Sequence, residues 1–380
     1  LSLHDALPIC HHFGRRCGWK GLETHRKVIP SVSGNPFLGR QGVFVASTTS
    51  IQLEPQLRAA FQKATEIDRD LGPVGPEIAD IRERATLARS YWNQGGPDMF
   101  EVSERLIPGP VRDVPVVLYR PRKSSGPAPV FLFLHGGGFK IGNQWANDRQ
   151  MREIAAAWGG VVISADYLHA PEHKFPGAVE EVAAVLQWLH SYGAAWGLDT
   201  ENISFGGVSA GACIGFGAAI SLGKKSWLRA AVGIVGAFSF DTSAASMKAF
   251  GNVGLFPQLD LIKPMFEAYV PNPKDRTDPR AIPVLADVQV LPQSFIAAAE
   301  YDVFRDASSL MATRLAQADR LRFFKIYPGM AHLFFGFSKE VAGAMACVSD
   351  VSRFLAECLP VSSAYPLQRA ARVCCPDSAQ

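Results

Sequence analysis

Gly207-Val208-Ser209-Ala210-Gly211 is the stretch of this 380-residue chain best suited to nucleophilic chemistry. It stands between a strand-like segment, Ile203 to Gly206, and a helical one, Gly211 to Leu222. A serine there must turn through strained backbone angles, and flanking glycines let neighbouring elements approach without a Cβ clash. The helix that follows directs its first N–H groups toward negative charge growing on an acyl oxygen. Alone, G-x-S-x-G also describes a tight turn; the strand before it and the helix after it favour the nucleophile. Serine oxygen is a poor nucleophile at neutral pH until an imidazole removes its proton. The expected base is His332, presented after the last predicted strand by the turn Tyr327-Pro328-Gly329-Met330-Ala331-His332. Among the other histidines, His190 falls on a helix, and His169 and His173 in a strand-to-helix loop. The acid that orients the base is expected at Asp302, just past the strand Ser294 to Ala299. Its neighbours fit less well, because Glu300 is still close to the strand end and Asp306 starts the next helix. His135-Gly136-Gly137-Gly138-Phe139 follows the apolar run Val130 to Leu134. Three glycines leave backbone N–H groups uncovered, as an oxyanion hole requires, although a bare glycine triplet also describes a flexible loop. His135 is expected to shape that loop through hydrogen bonds rather than to act as the base.

These residues need a scaffold, and the periodicity supplies one. Leu53, Leu57, Ala60, Phe61 and Ala64 recur at helical intervals, and Gly72-Pro73 and Gly75-Pro76 divide Leu53 to Trp92 into two helices. Val111 to Arg120 is strand-like, and Val130 to Leu134 (VFLFL) is continuous enough to be buried on both faces. Strands at Val161 to Ala165, Ala230 to Val235 and Leu321 to Tyr327 follow, with helices around Val179 to Leu189 and Val341 to Glu357. Repeated β-α units predict a mainly parallel sheet with helices on both faces. Between Phe238 and Val290, Pro257, Pro264, Pro271, Pro273, Pro279 and Pro283 break the chain into short pieces. That stretch and the N-terminal helices are the natural lid, and Phe61, Trp92, Phe256 and Phe266 are the candidates to line the pockets beneath it, although aromatic residues there more often belong to the core.

HGGGF, GVSAG, EYDVFRD and PGMAHLFF, in that order, resemble the hormone-sensitive-lipase-like carboxylesterases, bacterial family IV, from about Leu53 to Leu359. The segment Asp166-Tyr167-Leu168-His169-Ala170-Pro171-Glu172 looks like that family's D-Y-x-x-A-P-E. The order Ser209, Asp302, His332 is also that of α/β-hydrolases. The resemblance implies an α/β-hydrolase fold with an N-terminal helical cap and a triad of Ser209, His332 and Asp302. It further implies oxyanion donors at the N–H groups of Gly137, Gly138 and Ala210, no metal or organic cofactor, and a small-molecule ester substrate of short to medium acyl chain. Family members are often dimers, though no feature here demands a homodimer. Two departures stand out. Val208 occupies the position before the nucleophile where Asp is commonest, and Leu168-His169 stands where Arg-Leu is usual, which puts one local ion pair in doubt. Amide, formamide and lactone hydrolases share the same machinery, and non-catalytic small-molecule receptors share the scaffold but lose the histidine.

The domain reading is a leader at 1–45, a helical cap region at 46–99, a catalytic domain at 100–360 to which 238–290 adds part of the cap, and a tail at 361–380. Leu1 to Ile9 matches one reading frame of a widely used sequencing adapter, so 1–45 is expected to be non-native or disordered and is set aside. The tail is likewise expected to be disordered. The formal charge is +3; the leader contributes +4 and the tail +1, leaving −2 on the body. Such a body offers no electrostatic case for nucleic acid or an anionic membrane. The Cys and His residues of the leader match no common zinc spacing. Cys213, Cys347 and Cys358 in the body are expected to be buried free thiols. With no membrane-spanning run and no secretory leader legible, the cytoplasm is the default compartment.

Overall fold

VFLFL forms the centre of the molecule because it has apolar side chains at every position. In β3 (Ala128–Leu134), Val130, Leu132 and Leu134 enter one core while Phe131 and Phe133 enter another, the alternation a strand buried on both faces requires. The computed structural model describes residues 51–123 and 126–361. The expectations for the leader 1–45 and for nearly all of the tail lie outside these residues.

Two helices, α1 (Pro55–Asp70) and α2 (Ile78–Asn93), lead into the sheet, separated as the Gly-Pro pairs predict. Eight strands follow: β1 (Glu101–Pro108), β2 (Asp113–Arg120), β3, β4 (Val161–Ala165), β5 (Leu198–Val208), β6 (Leu228–Ile234), β7 (Gln293–Tyr301) and β8 (Leu321–Ala331). Their order is β1-β2-β4-β3-β5-β6-β7-β8, antiparallel from β1 through β2 to β4 and parallel from β4 onward. This is the α/β-hydrolase architecture. Helices α4 (Gly177–Tyr192), α5 (Ala210–Leu222) and α8 (Arg305–Gln317) supply one core, with Val182, Leu186, Phe216 and Met311. On the other core, α3 (Asp148–Trp158) packs on α9 (Ala342–Cys358) through Met151, Ile154, Val351 and Leu355. No helix among the described residues is long and apolar enough to cross a membrane.

The proline-rich stretch holds two helices, α6 (Ala245–Phe250) and α7 (Leu259–Tyr269), and three 3₁₀ turns. Pro264 does not break α7 as expected: it removes one helical N–H, but Ile262, Phe266 and Tyr269 are buried around it and hold the helix. The expected end of β8 at Tyr327 is also corrected. The strand runs on to Ala331, and its pairing with β7 shifts between Ala299 and Tyr301. Gly329, at φ +69°, donates to Glu300 Oε2 at 2.7 Å, and its carbonyl accepts from Glu54 N at 3.0 Å. Pro328-Gly329 therefore bulges the strand rather than ending it. Cys213 and Cys347 are buried free thiols as expected, whereas Cys358 is partly exposed.

Candidate active site

β5 ends at Val208 and α5 begins at Ala210, so the whole change of direction falls on Ser209, at φ 54° and ψ −115°. A side chain pays for a positive φ with strain, so the turn must be overdetermined by its surroundings. Ser209 N donates to Ile234 O at 2.9 Å, and Ser209 O accepts from Cys213 N in α5. The glycines on either side are required by space: a Cβ on Gly207 would lie 2.5 Å from Leu134 O, and one on Gly211 would lie 2.2 Å from the same oxygen.

His332 follows β8 and Asp302 follows β7, which brings both to the edge where Ser209 leaves β5. Nε2 of His332 lies 2.9 Å from Ser209 Oγ, and its Nδ1 lies 2.9 Å and 3.0 Å from the two carboxylate oxygens of Asp302. The carboxylate can only accept, so Nδ1 carries the proton and Nε2 is left to accept from the serine hydroxyl. Phe304 N donates to Asp302 Oδ1 at 3.0 Å, which fixes the carboxylate in turn. Asp302 and His332 are almost wholly buried, and Ser209 is 8 % exposed, the outermost of the three. Glu300 bonds Gly329, and Asp306 accepts from Ser246 N, so neither competes for the imidazole.

The glycine loop is folded back by the N–H groups of Lys140 and Ile141, which donate to Gly137 O at 3.1 and 3.2 Å. Gly137 has φ +137° and would place a Cβ 2.0 Å from Ile141 O; Gly138 has φ +60°. Both line the cavity that Ser209 and His332 open into. Ala210 is the first residue of α5, where an amide has no acceptor within its own helix. His135 behaves as expected, its Nδ1 lying 2.8 Å from Gly136 O, and Tyr167 Oη donates to His135 O at 2.8 Å. Phe139 was not singled out from the sequence. It sits in the left-handed region at φ 65°, buried and stacked on Tyr269 at 3.9 Å, and its carbonyl accepts from Ala170 N.

The cavity has a volume of about 490 Å³. Ala64, Ala85, Ala88 and Trp92 of α1 and α2, and Phe256, Pro257 and Met265 of the proline-rich stretch, form much of its wall. Of the four aromatic residues expected there, Trp92 and Phe256 line it. Phe61 instead meets Phe337 edge-on, and Phe266 stacks on Phe240, so both belong to the packing behind the wall. Arg89, also unforeseen, reaches the wall with its Nε on Ala146 O and its Nη2 on Gly336 O; burial pushes its guanidinium down to about 10. The arginine absent after Tyr167 is supplied from elsewhere, since Arg112 pairs with Asp166 at 3.2 Å and Arg82 with Glu172 at 2.7 Å.

A family model described as alpha/beta hydrolase fold matches residues 131–336. The hyperthermophilic esterase of the archaeon Pyrobaculum calidifontis is similar in structure, with 28 % identity, a TM-score of 0.73, and coverage of 81 % of this chain and 99 % of the esterase. An ester hydrolase from the metagenome of Lake Arreo, solved with a derivative of bipyridine phosphonate, is 27 % identical with a TM-score of 0.73 over 80 % of this chain and 98 % of its own. A thermophilic and thermostable carboxylesterase cloned from a metagenomic library is 26 % identical with a TM-score of 0.70, covering 74 % of this chain and 98 % of its own.

Proposed function

The chain belongs to the α/β-hydrolase fold family, in its hormone-sensitive-lipase-like branch, and from that premise we propose a serine carboxylesterase that takes short- to medium-chain acyl esters. The observation that carries this reading is the unbroken relay from Ser209 Oγ through His332 to Asp302, opening on an apolar cavity. Ser209 attacks the ester carbonyl while His332 Nε2 takes its proton, and Asp302 stabilises the imidazolium. The N–H groups of Gly137, Gly138 and Ala210 receive the oxyanion; loss of one such donor typically costs about 3–4 kcal/mol. His332 then protonates the departing alcohol, and later activates the water that releases the acid from Ser209.

Residues 46–99 serve as the cap and 100–360 as the catalytic domain, with 238–290 closing the cap's other side. Supporting this are the cavity walls drawn from α1, α2 and the proline-rich stretch. A cavity of about 490 Å³ suits a small ester rather than a long-chain glyceride.

The test is hydrolysis of p-nitrophenyl acetate, butyrate and laurate by the full chain and by Ser209→Ala. Acetate and butyrate should be cleaved and laurate poorly, with all turnover lost in the variant. Turnover that survives in Ser209→Ala sinks the assignment. A folded but inactive parent, tested next on amides and lactones, sinks the ester reading and keeps the nucleophile only if one of those is cleaved.

A further inference from the structure

β3 and β4 pair in parallel with Leu134 opposite Ala165, which sets the next residues, His135 and Asp166, side by side beyond the sheet edge. His169 comes back to the same place from the loop after β4. Nε2 of His135 and Nε2 of His169 each lie 3.9 Å from Asp166 Oδ1, and the three atoms fall within 4.8 Å of one another. All three are buried and none has a hydrogen-bond partner. His135 is wholly buried, and the side chains of Asp166 and His169 are 17 % and 10 % exposed. An unsatisfied buried polar atom costs about 1–3 kcal/mol, so three that face one point need a shared partner.

The protonation pattern says what kind. Gly136 O only accepts, so His135 Nδ1 carries the ring proton and Nε2 turns a lone pair toward the carboxylate. Asp166 Oδ2 already accepts from Arg112, which leaves Oδ1 facing inward. Three carboxylates (Asp166, Glu172 and Glu181) surround two guanidinium groups (Arg82 and Arg112), so one negative charge is in excess beside the two imidazoles. Imidazole and carboxylate ligands bond zinc at about 2.0–2.2 Å, so two atoms sharing one tetrahedral ion stand roughly 3.3–3.6 Å apart. Both 3.9 Å gaps lie within roughly half an ångström of that spacing, and the third pair, within 4.8 Å, must draw in with them when an ion binds.

The geometry points to a divalent transition-metal site, suited to zinc, made by His135 Nε2, Asp166 Oδ1 and His169 Nε2 with water as a fourth ligand. It is structural: it ties the foot of the glycine loop to the segment between β4 and α4 and takes no part in acyl transfer. Leucine is usual in the resembled family where His169 stands, so the site rests on a residue at which this chain departs from that pattern.

The full chain is stripped with a chelator, dialysed, and titrated with zinc chloride by calorimetry, alongside His169→Leu and His169→Gln. Leucine fills the position as it does in the family, and glutamine keeps a polar group there, so failure of one variant to fold leaves the other. Cysteines and histidines elsewhere contribute equally to all three proteins. The parent should bind one equivalent more than either variant, with an affinity difference of at least the roughly 10–100-fold that an outer-shell partner alone is worth. Zinc should raise Tm in the parent only, and cobalt(II) should give a visible d–d band in the parent only. Equal stoichiometry and equal Tm response in all three proteins overturn the site and leave an ordered water as the occupant.

Discussion

Two buried groups of histidine and aspartate lie beside one glycine loop, and they are wired in opposite ways. Around His332 every contact closes at hydrogen-bond distance, from Ser209 Oγ at 2.9 Å to Asp302 at 2.9 Å, and Phe304 N holds the far oxygen. Around Asp166 the two imidazoles stop at 3.9 Å with their Nε2 atoms unpartnered. A base must have its tautomer fixed and its acceptor aimed at one proton, which closed contacts achieve. A ligand site must keep lone pairs apart and pointed at a common centre. The same residue types thus serve chemistry in one place and retention in the other, and spacing decides which.

The largest expected effects separate the two groups completely. His332→Ala should lower kcat by about 10⁴–10⁶-fold and Asp302→Asn by about 10⁴-fold, measured on p-nitrophenyl butyrate, because the relay acts as a unit. Both variants should bind zinc as the parent does. A loss of zinc binding in either would break the comparison by showing that the groups are coupled.

A shared wall gives the next effect. Gly211 packs against Leu134 O and also against His135 O, and a Cβ would lie 2.2 and 2.4 Å from them. Both are backbone atoms at the root of the glycine loop and cannot swing aside. Gly211→Ala should therefore cost about 1–3 kcal/mol or more in urea unfolding and lower kcat as well, since the elbow and the loop shift together. An unchanged unfolding midpoint would mean that the elbow is looser than its contacts imply.

The two groups were also unequally legible in the sequence. Ser209, Asp302 and His332 each stand just past an apolar run, and an ordered sheet brings strand ends to one edge, so chain order alone could nominate them. His135 and His169 lie in different segments with no motif joining them; only the register of β3 on β4 brings His135 to Asp166. Glycine and continuous apolar runs announced β3, β4 and α5. Strand β1 did not announce itself, because on the sheet edge its Glu101, Ser103, Glu104 and Arg105 are at least partly exposed and only Ile107 is buried. Helix α3 was hidden in a similar way. Its buried face includes Gln150, paired with Asn147 and Ser338, so polar letters fall where an apolar stripe would be sought. Phe61 and Phe266 take the alternative the sequence left open and pack behind the cavity wall, because aromatic residue type marks burial without saying which neighbour it meets.

The smallest expected effect is the sharpest test of independence. If the Asp166 group retains a metal for structure alone, chelation should lower Tm while leaving kcat within about twofold, well under 1 kcal/mol of barrier. The reason lies in how the glycine loop is already held. Tyr167 Oη anchors His135 O, Ala170 N anchors Phe139 O, and the Phe139 ring stacks on Tyr269, all without the three unpartnered atoms. Those contacts hold the backbone on either side of Gly136 to Gly138, whereas the metal would act only through the His135 side chain. A tenfold fall in kcat on chelation, restored by zinc in the parent and absent in His169→Leu, would show that these anchors are insufficient. The loop's grip on the oxyanion would then depend on both groups, and the division between chemistry and retention would fail.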